Sequence, residues 1–345
     1  MPTASPPVSV LAPPAARRLV DAAERLLARH GAPDSPELLA ELPRAARELP
    51  ESLVAAVRRG FPVEGMYVLR GLPVADHPLE PTPLGWRQAG DAGARWDVVL
   101  LLLASVLGHP LAWEGQQNGR TVHNIVPSPG HEEQQTGASS AVLLAPHTED
   151  AFHPGRADVL MLCCLRNPDR VSTTAASVRS TDLSAEDVAA LTRPTVPILP
   201  DDAYTVRSAR PPVPVRTLWR TPEGLGIRFD PAYTRRDGAD PVFRGAYARL
   251  EAELERVTQA VVLEPGDVLV VDNDVVVHGR VPFRARYDGT DRWLKRTLVR
   301  LPHRTGRPAS ERAEHGYGQA VVDRCCPDGV RRSGGSPALS GARDD

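Results

Sequence analysis

Leu263–Arg300 reads LEPGDVLVVDNDVVVHGRVPFRARYDGTDRWLKRTLVR. Pro265-Gly266 marks a turn. Val268–Val271 and Val275–His278 are short β-branched apolar runs of the kind that form buried strands. His278 thus stands at the end of a strand. Beyond it come Arg292 and Arg296, four residues apart. Strand alternation puts them on one face, roughly 13 Å apart along it. By themselves, two arginines at this spacing also suit a salt-bridged surface strand.

A second stretch gives this one a partner. Ala141–Glu149 reads AVLLAPHTE, and His147 precedes His278 by 131 residues. In a strand, residues two apart project together, so a strand-like backbone would aim His147 and Glu149 at one point. Two imidazoles and a carboxylate suit a divalent iron that keeps positions open for reaction. Arginines nearby suit ligands that carry carboxylates. The combination points to an oxygen-activating enzyme that uses a 2-oxo acid. Alone, His-x-Glu says little, because a chain with ten histidines and 43 acids supplies such pairs by chance. His131-Glu-Glu133 is another, and a solvated loop pair is the bland alternative.

The wider context is specific. His147–Arg170 reads HTEDAFHPGRADVLMLCCLRNPDR and is followed by Thr173-Thr-Ala-Ala-Ser177. With the distal block, these stretches resemble the clavaminate synthase-like branch of the iron(II)/2-oxoglutarate-dependent oxygenases, relatives of taurine dioxygenase. In look they are nearest the amino-acid hydroxylases of antibiotic pathways, arginine hydroxylases among them. The resemblance runs over about residues 110–300.

That resemblance implies roles residue by residue. His147, Glu149 and His278 match the metal triad. Arg292 matches the arginine that pairs with the distal carboxylate of 2-oxoglutarate, and Thr173 the threonine beside it, with Thr174 as the alternative. Arg296 matches the arginine on the substrate α-carboxylate. Gln116, or its neighbour Gln117, matches a glutamine at the substrate amine, where Glu149 would also reach. Asp230 resembles the acid that meets a substrate guanidinium. Arginine hydroxylases carry a second acid two residues on, and here that position is Ala232. Ser139 or Ser140 would add a hydroxyl near the substrate.

The implied cofactors are Fe(II), 2-oxoglutarate as cosubstrate and O2. The implied chemistry is hydroxylation of an unactivated carbon of a free L-amino acid, arginine or a similar basic one first, in natural-product biosynthesis. Desaturation or ring closure of a modified or cyclic amino acid, as in clavaminate synthase itself, is the runner-up. A non-enzymatic jelly-roll metal binder is the reading from another class, and it would have no use for Arg292 or Thr173. His153, six residues after His147, reads as packing, because a fourth protein ligand would take a position the cosubstrate or oxygen needs.

The remaining signals bound the class. The formal net charge is −2, which carries no nucleic-acid footprint. No apolar run approaches the length of a membrane span. MPTASPPVSVLAPPAA has neither a basic start nor a signal-peptide core. The cysteines form two adjacent pairs, Cys163-Cys164 and Cys325-Cys326, read as reduced thiols of a cytoplasmic protein. Residues 1–14 are expected to be disordered, 15–326 a single oxygenase domain, and 327–345 a flexible tail. Helices are expected at 15–29, 35–48, 51–59, 97–107, 182–192 and 241–259, with a strand at 66–70. Residues 199–222, rich in proline, are expected as a lid. The expected fold is α+β: a double-stranded β-helix (jelly-roll) core with flanking helices.

Overall fold

The computed structural model describes residues 5–75, 77, 79–204, 210–304 and 306–322. The tail 327–345 and Cys325-Cys326 lie outside the described residues.

Strand β1 (Val8–Val10) leads into α1 (Pro13–His30), α2 (Pro36–Arg47) and α3 (Glu51–Val57). Prolines occupy the first turn of α1, where a missing N–H costs nothing, and Gly31 stops the helix at φ +79° with its N–H on Leu27. Ser35 caps α2 by accepting from the Leu38 N–H at 3.3 Å. Then come β2 (Met66–Arg70), α4 (Ala94–Leu107), β3 (His109–Trp113), β4 (Val122–Ile125), β5 (Leu144–His147), β6 (Val159–Arg166) and β7 (Thr173–Ser177). Helix α5 (Ala185–Leu191) is capped by Ser184, hairpin β8 (Leu218–Thr221)–β9 (Gly224–Ile227) follows, and Asp240 caps α6 (Pro241–Arg256). The chain closes with β10 (Gln259–Val261), β11 (Val268–Asp272), β12 (Val276–Arg280), β13 (Trp293–Arg300) and β14 (Val321–Val322).

These strands make two principal sheets. The larger has the order β1-β2-β11-β6-β13-β3-β14, with β4 also on β13; the smaller has the order β10-β7-β12-β5. One apolar core joins them, drawing Leu160, Leu162, Leu269, Leu294 and Leu298 from the larger sheet and Ala175 and Val276 from the smaller. The alternate residues Val159, Met161, Cys163, Val268 and Val270 face the other way, against α1–α4. Both faces of β6 and β11 are therefore covered, which is why they read as unbroken apolar runs rather than as alternation. The outer face of the smaller sheet is covered by α5, α6 and the β8–β9 hairpin.

Two expectations need correction. Residues 1–14 are not disordered throughout. Val8–Val10 adds a parallel strand to β2, with the Pro7 carbonyl accepting from the Val68 N–H at 2.9 Å. Proline removes a donor but not an acceptor, and an open sheet edge pairs with whatever acceptors reach it. Nor is 199–222 one lid. Val215 bridges Val196 and Leu218–Thr221 is strand β8, so among the described residues only Asp201–Tyr204 reach the functional cavity or its wall.

Strand β13 carries polar groups on both faces. On the helix side Lys295, fully buried, pairs with Asp97 of α4 at 2.7 Å and donates to the Ala92 carbonyl at 3.1 Å. Burial pushes the Lys295 pKa down and the Asp97 pKa up. Removing one member of such a pair strands a desolvated charge. Asp97→Ala should therefore cost about 3–5 kcal/mol in urea unfolding, whereas Asp97→Leu/Lys295→Met should recover most of that loss.

Candidate metal centre and substrate cavity

Strands β5 and β12 pair antiparallel with His147 directly opposite His278. The strand ends at His147, and Glu149 lies in the turn that follows rather than on the expected strand, so hydrogen bonds and not alternation place it. Thr148 exchanges hydrogen bonds with Phe229, its N–H donating at 2.7 Å and its hydroxyl accepting at 3.1 Å. The Asn273 side chain clamps Glu149 itself, accepting from its N–H at 2.8 Å and donating to its carbonyl at 3.0 Å.

His147, Glu149 and His278 thus converge, with one ligand atom from each within 4.8 Å of the others. Glu149 Oε2 lies 4.0 Å from His147 Nε2 and 3.4 Å from His278 Nε2. His147 Nδ1 lies 2.9 Å from the Ala145 carbonyl, which as a hydrogen-bond acceptor leaves the Nε2 lone pair for a metal. Glu149 Oε2 is buried with no hydrogen-bond partner. Burial would raise the Glu149 carboxyl, but Arg296, His278 and His147 together outweigh it and hold the group well below the carboxylate range. Burial, then the charge of His278, pushes His147 down. Anionic oxygen and neutral imidazoles are the states a divalent cation requires.

Behind the triad lies a small cavity of about 50 Å³, reached by His147, Glu149, Thr173, His278, Arg292 and Arg296. Arg292 donates to the Thr173 hydroxyl at 2.9 Å, its Nε is buried without a partner, and no described carboxylate pairs with it. Burial lowers its pKa to about 10. A buried arginine without a counter-ion is a site for an anionic ligand. Thr174 makes no contact with Arg292, as its opposite parity on β7 requires, so Thr173 is the threonine at this cavity. Leu294 lines it as well. The register shift between Trp293 and Leu294 is absorbed by an extra residue on β6, so Arg292, Leu294 and Arg296 keep one face.

On the other side of the triad opens a cavity of about 460 Å³. Arg296 sits at its inner end. It is ion-paired with Glu149 and donates to Gln116 Oε1 at 3.0 Å. Gln116 is held in turn by donating to Asp150 at 3.1 Å. Gln117 binds both backbone groups of Asn124 and is the less free of the two glutamines. Asp230 lies on the cavity wall, with its carboxylate accepting from the Ala232 N–H at 3.1 Å, and burial raises its pKa to about 6.

Sequence reasoning missed a second carboxylate. Asp201 lines the same cavity, and burial followed by the charge of Asp150 raises its pKa to about 8. Its described bond is one from the Ala203 N–H at 2.9 Å. Asp201 stands 29 residues upstream of Asp230, in a segment where only a proline-rich stretch was visible. Asp150 was missed too. It accepts from Trp113 Nε1 at 2.6 Å and the Tyr204 hydroxyl at 2.7 Å, tying Gln116 to the segment that bears Asp201. Asn273, which holds Glu149, was also missed.

Other expectations resolve simply. Ser139 and Ser140 do not line the cavity; Ser139 contacts Arg280 and the Thr136 carbonyl. His153 packs edge-on against Trp113, and its Nδ1 accepts from the Gly155 N–H at 2.8 Å, so it is a packing residue. His131 is exposed and bonded to Gln134. No described helix is long and apolar enough to cross a membrane.

Comparison with known proteins agrees with this geometry. The model of the family "Taurine catabolism dioxygenase TauD, TfdA family" matches residues 33–298. Enduracididine beta-hydroxylase of Streptomyces hygroscopicus is 36% identical over 315 residues, covering 83% of this chain and 92% of that protein. The L-ornithine/L-arginine 3-hydroxylase of Catenulispora acidiphila is 35% identical over 295 residues, covering 77% and 86%. The crystal structure of the non-heme iron oxygenase OrfP in complex with Fe, succinate and (3S)-hydroxy-L-Arg superimposes with a TM-score of 0.77 at 37% identity, covering 85% and 94%. The chain belongs to the TauD, TfdA family and is an iron(II)- and 2-oxoglutarate-dependent dioxygenase.

Proposed function

We propose that this enzyme hydroxylates a free L-amino acid with a cationic side chain, arginine or a close analogue, in natural-product biosynthesis. His147, Glu149 and His278 hold Fe(II). Arg292 and Thr173 hold the distal carboxylate of 2-oxoglutarate. Arg296 holds the substrate α-carboxylate, Gln116 and Glu149 its amine, and Asp230 with Asp201 its distal cation. When bound, iron, 2-oxoglutarate and O2 supply the oxidation of an unactivated C–H bond. The chain's own contribution is placement, which sets the carbon that reacts. We also read the two sheets as a double-stranded β-helix (jelly roll), residues 15–326 together with the edge strand Val8–Val10 as one oxygenase domain, and the protein as cytoplasmic.

The observation that carries the enzyme reading is Arg292, buried behind the triad with no carboxylate of its own. A metal sensor or a hydrolase has no use for it. The observation that carries the cationic side chain is the pair of desolvated acids, Asp201 and Asp230, on the cavity wall. A carboxylate raised by burial recovers its ordinary ionisation when a cation arrives. A ring-closed guanidine amino acid is the second reading. The first relative acts, by its name, on enduracididine, and a cavity of about 460 Å³ leaves room for a ring.

Iron content and turnover should vanish together in His147→Ala and in His278→Ala, since two ligands cannot hold the centre; metal analysis with succinate release checks this. Arg292→Ala should keep its iron yet raise the KM for 2-oxoglutarate about ten- to a hundred-fold, the worth of one charged hydrogen-bonded pair. An unchanged KM would assign the clamp elsewhere.

A third test uses pH. Asp201 is protonated below its raised pKa and can pair with a cation only above it. The KM for the basic amino acid should therefore fall as pH rises through about 8. Asp201→Asn should flatten that slope, and Asp230→Ala should impair cationic substrates far more than asparagine or glutamine. Equal losses across the panel would reject the cationic side chain while leaving the dioxygenase in place.

A further inference from the structure

We propose that His123 is a positioning residue that aims the Arg296 guanidinium into the substrate cavity. The proposal rests on the reading that Arg296 holds the substrate carboxylate.

His123 stands on β4 directly across from Arg296 on β13. It is buried and does not line the cavity, so it acts on a ligand only through a neighbour. Its Nδ1 lies 2.7 Å from Arg296 Nη2, the same nitrogen that donates to Gln116 Oε1 at 3.0 Å. A guanidinium amino nitrogen carries two hydrogens. Two acceptors from two different elements therefore use both and fix the plane of the fork. Nη1 is left towards Glu149, and Nε is buried with no partner. The second Nη1 hydrogen is the one left for a substrate carboxylate.

The contact requires an imidazole whose Nδ1 accepts, which means the neutral tautomer with its proton on Nε2. The charged groups around the ring are Arg296, Glu149 and Arg120, and the ring's Nε2 is buried with no hydrogen-bond partner among the described residues. Burial, then the charge of Arg296, lowers the His123 pKa to about 3, so the ring stays neutral wherever the enzyme folds. A protonated ring would repel Arg296. An aliphatic residue, the ordinary occupant of so buried a strand position, would leave one Nη2 hydrogen without an acceptor.

The test compares His123→Phe, His123→Asn and Arg296→Ala, each assayed with the amino acid that turns over best. Asparagine offers an acceptor near the place of Nδ1; phenylalanine keeps the ring's bulk and offers none. His123→Phe should raise the KM for the amino acid about tenfold, the effect of one lost hydrogen bond to a charged group. It should also release more than one succinate per hydroxylated product, because a loosely held substrate misses the oxidant. The KM for 2-oxoglutarate and the iron content should stay within about twofold of the parent, and His123→Asn should bring the amino-acid KM back to within about threefold.

An unchanged amino-acid KM and an unchanged succinate-to-product ratio in His123→Phe would overturn the proposal. So would a parallel loss of iron, 2-oxoglutarate affinity and amino-acid affinity, which is the signature of packing alone, or a failure of asparagine to rescue. Arg296→Ala separates the two assignments. If its amino-acid KM does not rise, the reading of Arg296 fails and takes this proposal with it. If it rises while His123→Phe is silent, only the role of His123 falls.

Discussion

The pairing of β5 with β12 is the constraint on which the site depends. It sets His147 opposite His278, so both imidazoles leave the smaller sheet on the face that shares the apolar core. Side-chain period in a sheet is two, and a slip of one residue would turn His278 outward and put Val277 in its place. The slip is prevented from both sides of β12. Val276 is buried against the inner core and Val277 against the α5–α6 layer, so neither can trade places with the histidine. Glu149 is not in the ladder at all. It is brought to the metal position by Asn273, from the turn that begins β12, so one short stretch orients two of the three ligands.

Strand β13 solves the complementary problem of placing cations inside a core. Its inner face presents Arg292, Leu294 and Arg296, and its outer face buries Lys295 against Asp97. Each cation is treated differently. Lys295 is neutralised within the fold and belongs to stability. Arg296 is tied to Glu149, Gln116 and His123, so its direction is set before any ligand arrives. Among the described residues Arg292 makes one side-chain hydrogen bond, to the Thr173 hydroxyl, and has no carboxylate partner. Leaving a buried charge unpaired costs stability, which a ligand of opposite charge would recover. Asp201 and Asp230 bring the opposite sign of charge to the larger cavity.

Legibility from the chain tracked locality. Arg292 and Arg296, four residues apart, could be placed on a shared face from alternation alone, whereas the expected strand stops at His147 and Glu149 is placed by its turn and Asn273. Resemblance supplied their roles, and the structure brings all of them together. The helices expected at 15–29, 35–48, 51–59, 97–107, 182–192 and 241–259 all form, with ends shifted by up to three residues. The errors were of another kind. Proline content suggested disorder at Val8–Val10, where an edge strand forms, because what decides is the free edge of β2 and not the composition of the added strand. Ala232 suggested a missing acid, but Asp201 reaches the same cavity from a segment that alternation does not relate to Asp230. His123 carried no signal, since a lone histidine in TVHNIVP gains meaning only from the strand beside it.

What the sequence determined by itself is the inventory and the local geometry: a two-histidine, one-carboxylate set whose histidines lie on strands, an arginine pair on one strand face, and two-sided burial of β6 and β11. These follow from periods of two and 3.6 residues, which are properties of the backbone. What only the tertiary structure decided is which distant groups meet. The pairing of Arg296 with His123, the clamp of Asn273 on Glu149, the choice of Thr173 over Thr174 and the convergence of Asp201 with Asp230 depend on strand order and register. Those are set by how three apolar clusters pack against one another, and no window along the chain contains that information.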